Sequence, residues 1–202
     1  RTATSNWSYE FDDVATDSLL RTATSDTISA AGNTWTIFMH NDGVTPPPDS
    51  GGYYRRAGTD YFEWFDFGSW IGYDNPLWVE YTMLKETATV GTPWKSPPTG
   101  GWSGTAGGNP FNLRFSFKLL QKNVPITVTS SIGPPVTYQD VMVVEERIEI
   151  EVSPGVWQDL TSTIDYYGKS YYARGVGLIL FEAYDAANML QGKQELRRFN
   201  VL

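Results

Sequence analysis

Cysteine is missing from the 202-residue sequence, and histidine occurs once, at position 40. The absence of cysteine excludes disulfides, thiolate catalysis and cysteine-ligated metals. A single His40 excludes zinc sites built from several histidines. Basic residues are also few: 15 Lys and Arg are outnumbered by 23 Asp and Glu, which gives a net charge of −8. Because nucleic acids and anionic lipids both require clustered basic residues, we expect neither as a partner.

Long apolar runs and common catalytic motifs are missing as well. The longest apolar run, VGLILF at residues 176–181, is far shorter than the ~18–20 residues of a membrane helix, so we expect no membrane insertion. The sequence contains neither a Gly-x-Ser-x-Gly elbow nor a phosphate-binding P-loop. We therefore expect a protein that is not an enzyme. The chain begins at Arg1 rather than Met, which indicates a processed mature protein or a piece of a longer one.

Alternation of apolar and polar residues is the strongest pattern that is present. It extends over residues 77–83, 111–119 and 147–152, and residues 175–184 form a nearly continuous apolar stretch. These patterns indicate strands with one buried face, and a strand covered on both faces. With the weaker segments they predict about ten strands and one short helix, around residues 186–191. The fold class predicted is all-β: a single antiparallel β-sandwich domain over residues 1–202.

Two segments between the predicted strands are long. They cover residues 41–52 and 91–110, and both are rich in Pro and Gly. Loops of this length are uncommon in compact domains and usually carry function.

Both ends of the sequence resemble a known family. An early Tyr-Glu-Phe-Asp-Asp at residues 9–13 is followed by Asn-Thr-Trp-Thr-Ile at 33–37. Near the end, GVGLILF at 175–181 precedes LRRFNV at 196–201. This frame resembles the concanavalin A-like jelly rolls of the laminin-G type. The resemblance implies a jelly roll in which the first and last strands pair.

The middle of the chain resembles β-sandwich domains in tail and surface proteins of tailed phages. There a strand such as WVEYT, at residues 78–82, precedes a loop rich in Gly, Thr and Trp. The resemblance implies a structural or recognition component of a virion, such as a tail, fibre or capsid decoration. We then expect a location outside the cell or on the virion surface. The expected partners are other subunits, including copies of the same chain.

Aromatic side chains suggest where a ligand would bind. Trp94 and Trp102 lie in the second long loop, and Tyr53 and Tyr54 follow the first. Flat rings stack on sugars and anchor protein interfaces equally well, and they also pack back onto their own sheet. We predict these four residues as the site for host carbohydrate or a partner. The alternative is a stand-alone carbohydrate-binding module or lectin.

Paired carboxylates would favour a glycoside hydrolase, the least favoured function. Glu63 and Asp66 are three residues apart, so they face opposite sides of a regular strand. A second acidic cluster comprises Glu145, Glu146, Glu149 and Glu151. All of these except Glu146 share one face of a strand, and the cluster is interpreted as a solvated outer face. His40 precedes a turn and is interpreted as a hydrogen-bonding residue rather than a base.

Hard oxygen ligands for calcium are few. No EF-hand spacing occurs, and the candidate groups are more typical of turns. We expect no cofactor, and a bound calcium ion is the alternative; its candidate ligands are Asp12, Asp13, Asp17, Asp74 and Asn75.

Overall fold

The computed structural model describes residues 5–41, 52–131 and 133–201. This part of the chain is almost entirely β-structure, interrupted by two short helices, α1 (Phe67–Ile71) and α2 (Thr161–Ile164). Its strands are β1 (Asn6–Phe11), β2 (Val14–Ala30), β3 (Asn33–Asn41), β4 (Gly52–Ala57), β5 (Asp60–Asp66), β6 (Trp78–Lys85), β7 (Pro93–Ser96), β8 (Trp102–Ala106), β9 (Asn109–Val128), β10 (Val136–Ser153), β11 (Val156–Asp159), β12 (Tyr167–Ala173), β13 (Gly177–Tyr184) and β14 (Leu190–Asn200). No helix among the described residues is long and apolar enough to span a membrane.

All of these strands belong to one antiparallel sheet. Its order is β6-β5-β4-β3-β2-β1-β14-β13-β12-β10-β9-β7, with β11 added on β10 and β8 on β9. Most neighbours in the sheet are neighbours in sequence, which is the outcome of successive hairpins. The prediction of an all-β antiparallel fold is therefore confirmed. The sheet is nearly barrel-shaped, and the single jelly-roll sandwich that we predicted is not confirmed.

Side chains join the two end strands of this order. The backbone N–H of Thr82 on β6 donates to Ser96 Oγ on β7, at 2.9 Å. Trp94 Nε1 on β7 donates to the carbonyl oxygen of Thr82, at 3.0 Å. The sheet thus curls until its ends meet at a seam that side chains bridge.

The first and last strands pair, as the family resemblance implies. β1 runs antiparallel to β14, with Asn6 opposite Asn200 and Glu10 opposite Glu195. The tip of the β9–β10 hairpin adds to this joint, because Ser131 donates from its N–H and its Oγ to the Glu10 carboxylate, at 2.6 and 2.8 Å. These bonds satisfy a carboxylate that is fully buried.

The β9–β10 hairpin is long and changes its register partway along. Pairing shifts between Tyr138 and Val144 on β10. Nearby, Asn123 and Asp140 adopt left-handed backbone conformations, with φ of 56° and 53°. Asn and Asp tolerate this region better than other residues with a side chain, so they suit irregular positions that bend a strand.

Two predicted local features differ from the structure, and a third lies mostly outside the described residues. Residues 186–191, predicted as a helix, form a turn followed by the start of β14, so that prediction is wrong. The predicted loop 91–110 contains β7 and β8, which pair with β9 along the alternating segment. Of the predicted loop 41–52, residues 42–51 lie outside the described part of the chain.

Aromatic rings fill one end of the sheet, which we call the filled end. Phe67 of α1 is fully buried there, with its ring centroid 5.0 Å from that of Trp102 and 5.4 Å from that of Phe115. Phe65 and Tyr73 also contact Phe67. Asp66 begins α1 by accepting from the backbone N–H of Ser69, at 3.1 Å.

Candidate functional site

A cavity of about 860 Å³ occupies the opposite end of the sheet, which we call the open end. Thr59 contributes to its lining from the β4–β5 turn, and Glu86 and Thr87 contribute from the segment after β6. Residues 174–177, between β12 and β13, complete this side of the lining. The floor is made by inward side chains of β1 to β4 and of β12.

The lining is basic although the protein is acidic. Among the described residues, five Lys and Arg residues line this cavity, against two acidic residues. The basic residues are Arg21, Arg55, Arg56, Lys122 and Arg174, and the acidic ones are Glu86 and Asp140. The side chain of Arg55 bonds Glu80 on the outer face, and Arg56 pairs with Glu86. The remaining charges, Arg21, Lys122 and Arg174 against Asp140, still favour an anion, opposite to what the net charge of the chain suggests.

Arg21 is the basic residue on the floor of the cavity. It pairs with Trp7 on β1 and with His40 on β3, so these three side chains share the inner face of the sheet. Its guanidinium carbon lies 5.5 Å from the centre of the Tyr9 ring. Among the described residues, Arg21 makes no ion pair with a carboxylate, and its buried Nε has no hydrogen-bond acceptor.

Three of the other basic residues already have polar partners. Arg55 donates to Glu80 on the neighbouring part of the sheet, at 2.5 Å. Arg56 contacts Glu86 at 3.3 Å, and Lys122 Nζ donates to the carbonyl oxygen of Glu86, at 2.6 Å. Arg21 differs from these three because no carboxylate of a described residue pairs with its positive charge, and it is not exposed at the surface.

A group of hydrogen-bonded phenols and a carboxylate lies beside Arg21. Thr36, Tyr54, Glu63 and Tyr81 are opposite one another on β3, β4, β5 and β6, which places them all on the inner face. Tyr54 donates to Glu63 Oε1 at 3.0 Å, and Tyr81 donates to Oε2. Burial raises the pKa of Glu63, while the two phenols and Arg21 oppose that rise.

Glu146 is a second carboxylate on the inner face. It lies opposite Gly168 on β12, where a Cβ atom would come within 2.8 Å of the Glu146 side chain. Tyr166 donates to its Oε1 at 3.1 Å. Burial and the nearby charge of Glu63 raise the pKa of Glu146 to about 7, although the bond from Tyr166 lowers it. Neither Glu63 nor Glu146 lines the cavity.

His40 is held neutral next to Arg21. Burial, followed by the positive charge of Arg21, lowers its pKa to about 4. Its Nε2 is buried and has no hydrogen-bond partner among the described residues. It does not line the cavity.

The two tryptophans predicted as binding residues pack against the sheet. Trp94 is buried, stacks on Phe117 at 5.5 Å and bonds Thr82 through its indole N–H. Trp102 is half-buried between Phe67 and Phe115 at the filled end. A sugar could stack on either face of these rings only after the ring left its present packing.

The two tyrosines predicted with them lie on opposite faces of β4. Tyr54 points inward and lines the cavity. Tyr53 lies on the outer face, where its ring is 5.3 Å from Trp64 and 5.9 Å from Trp78. Trp64 and Trp78 are 4.6 Å apart, and Trp78 is 43% exposed. The structure thus separates the four predicted residues into an inner site, an outer aromatic patch and two packed rings.

The acidic residues considered for hydrolysis have structural partners. Asp66 caps α1, and Glu149 is bonded by Lys95 and Arg114, at 2.5 and 2.8 Å. Glu145 pairs with Arg147, and Glu151 accepts from the N–H of Gly155 at 2.6 Å. These contacts agree with the interpretation of the second acidic cluster as an outer face, except at Glu146, which lies on the inner face.

One of the calcium candidates, Asp13, lies in a carboxylate group formed by β1, β14 and the turn after β1. Oxygens of Glu10, Asp13 and Glu195 come within 4.8 Å of one another, a spacing that could hold a cation. Lys193 Nζ lies 2.9 Å from Asp13 and 3.0 Å from Glu195, and Arg197 lies 3.6 Å from Glu10, so basic side chains already pair with each of the three carboxylates. Asp12 and Asp74 accept backbone N–H bonds instead, from Lys193 and from residues 107 and 108. The side chain of Asp17 lies outside the described part.

Arg21 was missed by the sequence analysis. It lies in β2, whose sequence VATDSLLRTATSDTISA lacks a regular alternation. The signal that could have found it is a lone basic residue that follows Leu19 and Leu20 and precedes a stretch of small residues, which is weak evidence without the pairing partners. Only the register with Trp7 and His40 places Arg21 on the inner face.

Comparisons with known proteins support the fold alone. Neither the protein families nor the curated proteins contain a match to this sequence. Among solved structures, the chain is similar to a Bacteroides fragilis NCTC 9343 protein provisionally described as exported and as having a YmcC-like fold. The TM-score is 0.52 at 12% identity, covering 100% of this chain and 97% of that one. A Parabacteroides distasonis ATCC 8503 protein provisionally described as a lipoprotein matches with a TM-score of 0.48 at 12% identity, covering 98% and 96%.

Proposed function

We propose that this protein is a non-catalytic recognition domain that binds a small organic molecule in the cavity at the open end. The single observation that carries the proposal is the cavity of about 860 Å³ with a mixed lining. Ligand pockets typically measure roughly 300–1,000 Å³ and combine apolar walls with a few polar groups. Phe38, Met142 and Leu178 supply apolar wall here, and Arg21 and Tyr54 supply polar groups.

The positions and partners of the carboxylates near the cavity support a non-catalytic role. A general acid or base must come within hydrogen-bond reach of its substrate. Glu63 and Glu146 do not line the cavity, and phenols bond both of them. The carboxylate of Glu86 accepts from Tyr61 and Arg56.

The proposed location is outside the cytoplasm. The support is a fold shared with a protein that is provisionally described as exported. Membership of a phage virion and association with other subunits or with copies of this chain stay predictions.

Titration with a neutral, environment-sensitive dye, N-phenyl-1-naphthylamine, tests the proposed cavity. We expect saturable binding and at least a tenfold loss in Val176→Trp, because the added indole would occupy the cavity that Val176 lines. Val152→Trp is the matched control, since Val152 is 54% exposed and does not line the cavity. A dye that does not saturate, or that binds Val176→Trp as well as the wild type, would overturn the proposal.

The outer aromatic patch of Tyr53, Trp64 and Trp78 favours a second candidate function, carbohydrate binding. Trp78 is exposed beside polar groups, with Glu80 and Asn33 bonded to each other nearby at 2.8 Å. Exposed rings with adjacent hydrogen-bonding groups are suited to sugar rings. In this candidate site Tyr53 is a binding residue, as predicted. Trp64 and Trp78 take the place of the predicted Trp94 and Trp102.

A glycan array screens this second candidate. We expect any specific binding to be lost in Trp78→Ala and kept in Trp70→Ala, whose indole is 49% exposed at the filled end. Binding that survives Trp78→Ala would place the sugar elsewhere, and a blank array for the folded chain would reject carbohydrate binding.

A further inference from the structure

We propose that Arg21 is the anchor for a single carboxylate group of the ligand, and that the ligand is an amphiphile whose apolar part fills the rest of the cavity. This inference rests on the proposed function, since it names the ligand class of the same cavity. It goes further because it assigns one side chain, one chemical group and one orientation.

Arg21 carries a buried positive charge that no described carboxylate pairs. A buried charge without an opposite charge or full hydrogen bonding destabilises the folded state. Within the described residues, Arg21 has no carboxylate as an ion-pair partner, and Nε lacks an acceptor. Glu63 is near enough to act on Arg21 electrostatically, but its oxygens are taken by Tyr54 and Tyr81. An anion in the cavity would supply what the chain does not.

The geometry of the cavity gives access to the guanidinium. Arg21 is one of the lining residues, so its side chain borders the space in which a ligand would lie, while its Nε atom is buried behind that surface. A guanidinium presents parallel N–H donors that match a carboxylate in a bidentate arrangement. Tyr54, on the inner face of β4, also lines the cavity, so a polar side chain borders the same space as Arg21.

The number of free charges favours a monoanion. Arg55, Arg56 and Lys122 are already bonded within the protein, and Arg174 is exposed at the rim. Within the described part of the chain, Arg21 alone offers a charge at the floor that no carboxylate pairs. A phosphate dianion there would be left with one charge buried and unpaired, whereas a carboxylate would be neutralised.

The apolar walls set the rest of the ligand. Trp7 is almost fully buried, Met142 is buried, and Phe38 and Leu178 extend the same lining. An apolar chain or ring in this space would gain free energy in proportion to the area removed from water. The carboxylate would then lie deep, next to Arg21, with the apolar body extending towards the rim at residues 174–177.

Competition against the bound neutral dye tests this inference. Dodecanoate, dodecanol and dodecyl phosphate share one apolar chain and differ in the head group. A hydrogen-bonded ion pair with a buried guanidinium corresponds to about 10- to 100-fold in affinity. We therefore expect dodecanoate to displace the dye from the wild type at least tenfold better than dodecanol, and better than dodecyl phosphate.

Two arginine variants locate the effect. We expect Arg21→Met to abolish the preference for dodecanoate over dodecanol while dye binding persists. Arg174→Met, at the exposed rim, is the matched control and should keep the preference within about twofold, as an exposed charge contributes little. Arg21→Gln keeps a donor at the same place and should retain part of the preference.

The outcomes separate this inference from the proposed function. Failure of the wild type to bind the dye would reject the cavity as a binding site. Dye binding with equal displacement by dodecanoate and dodecanol, or a preference that survives Arg21→Met, would overturn the anchor alone. Stronger displacement by dodecyl phosphate would overturn the carboxylate. The comparison of head groups in the wild type decides the matter even where a variant fails to fold.

Discussion

Rings at the filled end lie against one another, whereas at the open end the side chains surround empty volume. Phe67, Trp102 and Phe115 have ring centroids 5.0 to 5.7 Å apart, while Arg21 and Phe38 border about 860 Å³ of cavity. Both ends belong to the same sheet and both contain aromatic residues. The difference is that α1 and the β8 segment supply extra rings to one end, and no comparable segment among the described residues fills the other. The interior of this curled sheet is therefore filled at the end where connecting segments add side chains to it, and contains a cavity at the other end.

Matched Phe→Ala substitutions would give the largest difference between the two ends. Phe67→Ala removes a fully buried ring from a packed cluster and should lower the free energy of unfolding by about 3–5 kcal/mol. Phe38→Ala removes a ring that already borders the cavity, so little new volume is left unfilled, and we expect roughly half that cost. Urea denaturation of both variants measures the two values. Equal losses would show that the open end is packed as tightly as the filled end.

The pH dependence of stability tests the buried residues that lie between the filled end and the open end, where Glu146 is found. The pKa of Glu146 is raised from 4.5 to about 7 in the folded chain. The folded chain therefore holds a proton that the unfolded chain loses as the pH rises above 4.5. Stability due to this group falls as the pH rises from 4.5 to 7, and the loss is complete above 7, at about 3 kcal/mol.

Glu146→Gln should remove that loss. Glutamine keeps an oxygen acceptor for Tyr166 and carries no charge, so we expect higher stability than the wild type at pH 8 and equal stability at pH 4. Chemical denaturation at the two pH values measures the difference. If the difference in stability between Glu146→Gln and the wild type were the same at pH 4 and pH 8, the raised pKa of Glu146 would be contradicted.

Removal of Arg21 should have the smallest effect on stability, and in the opposite direction. Because the guanidinium lacks an ionic partner among the described residues, Arg21→Met should leave the free energy of unfolding unchanged or raise it by about 1 kcal/mol. Arg55→Met is the contrasting variant, since it breaks the pair with Glu80 and should destabilise the chain. Thermal denaturation without ligand compares them, and a clear loss in Arg21→Met would mean that Arg21 serves the fold.

Alternation in the sequence was sufficient to predict much of the sheet. Residues 111–119 and 147–152 fall within β9 and β10, and the expected pairing of the terminal strands is present. The predicted helix at 186–191 failed because Asp185 closes a turn through bonds with Asn188 and Met189, after which Leu190 pairs with Tyr184 of β13. Short propensity signals are weak where tertiary contacts favour another conformation.

The candidate site could not be predicted because it depends on curvature and register. Glu63 and Tyr54 are nine residues apart on different strands, and only the β4–β5 register brings them together. Arg21 faces the cavity because Trp7 and His40 flank it on β1 and β3. The tryptophans in the Pro/Gly-rich segment looked exposed in sequence, but the alternating face of β9 offered Phe115 and Phe117 for them to pack on.

The seam between β6 and β7 makes one line of this sheet separable at low cost. Elsewhere each strand is held to its neighbours by a ladder of backbone bonds, but at the seam the bonds described run through the side chains of Ser96 and Trp94. Local opening follows the weakest set of contacts, so amide exchange should be fastest along this line. Separation of β6 from β7 would widen the interior while every hairpin stays intact. A ligand could then enter from the side of the sheet without any movement of the rim.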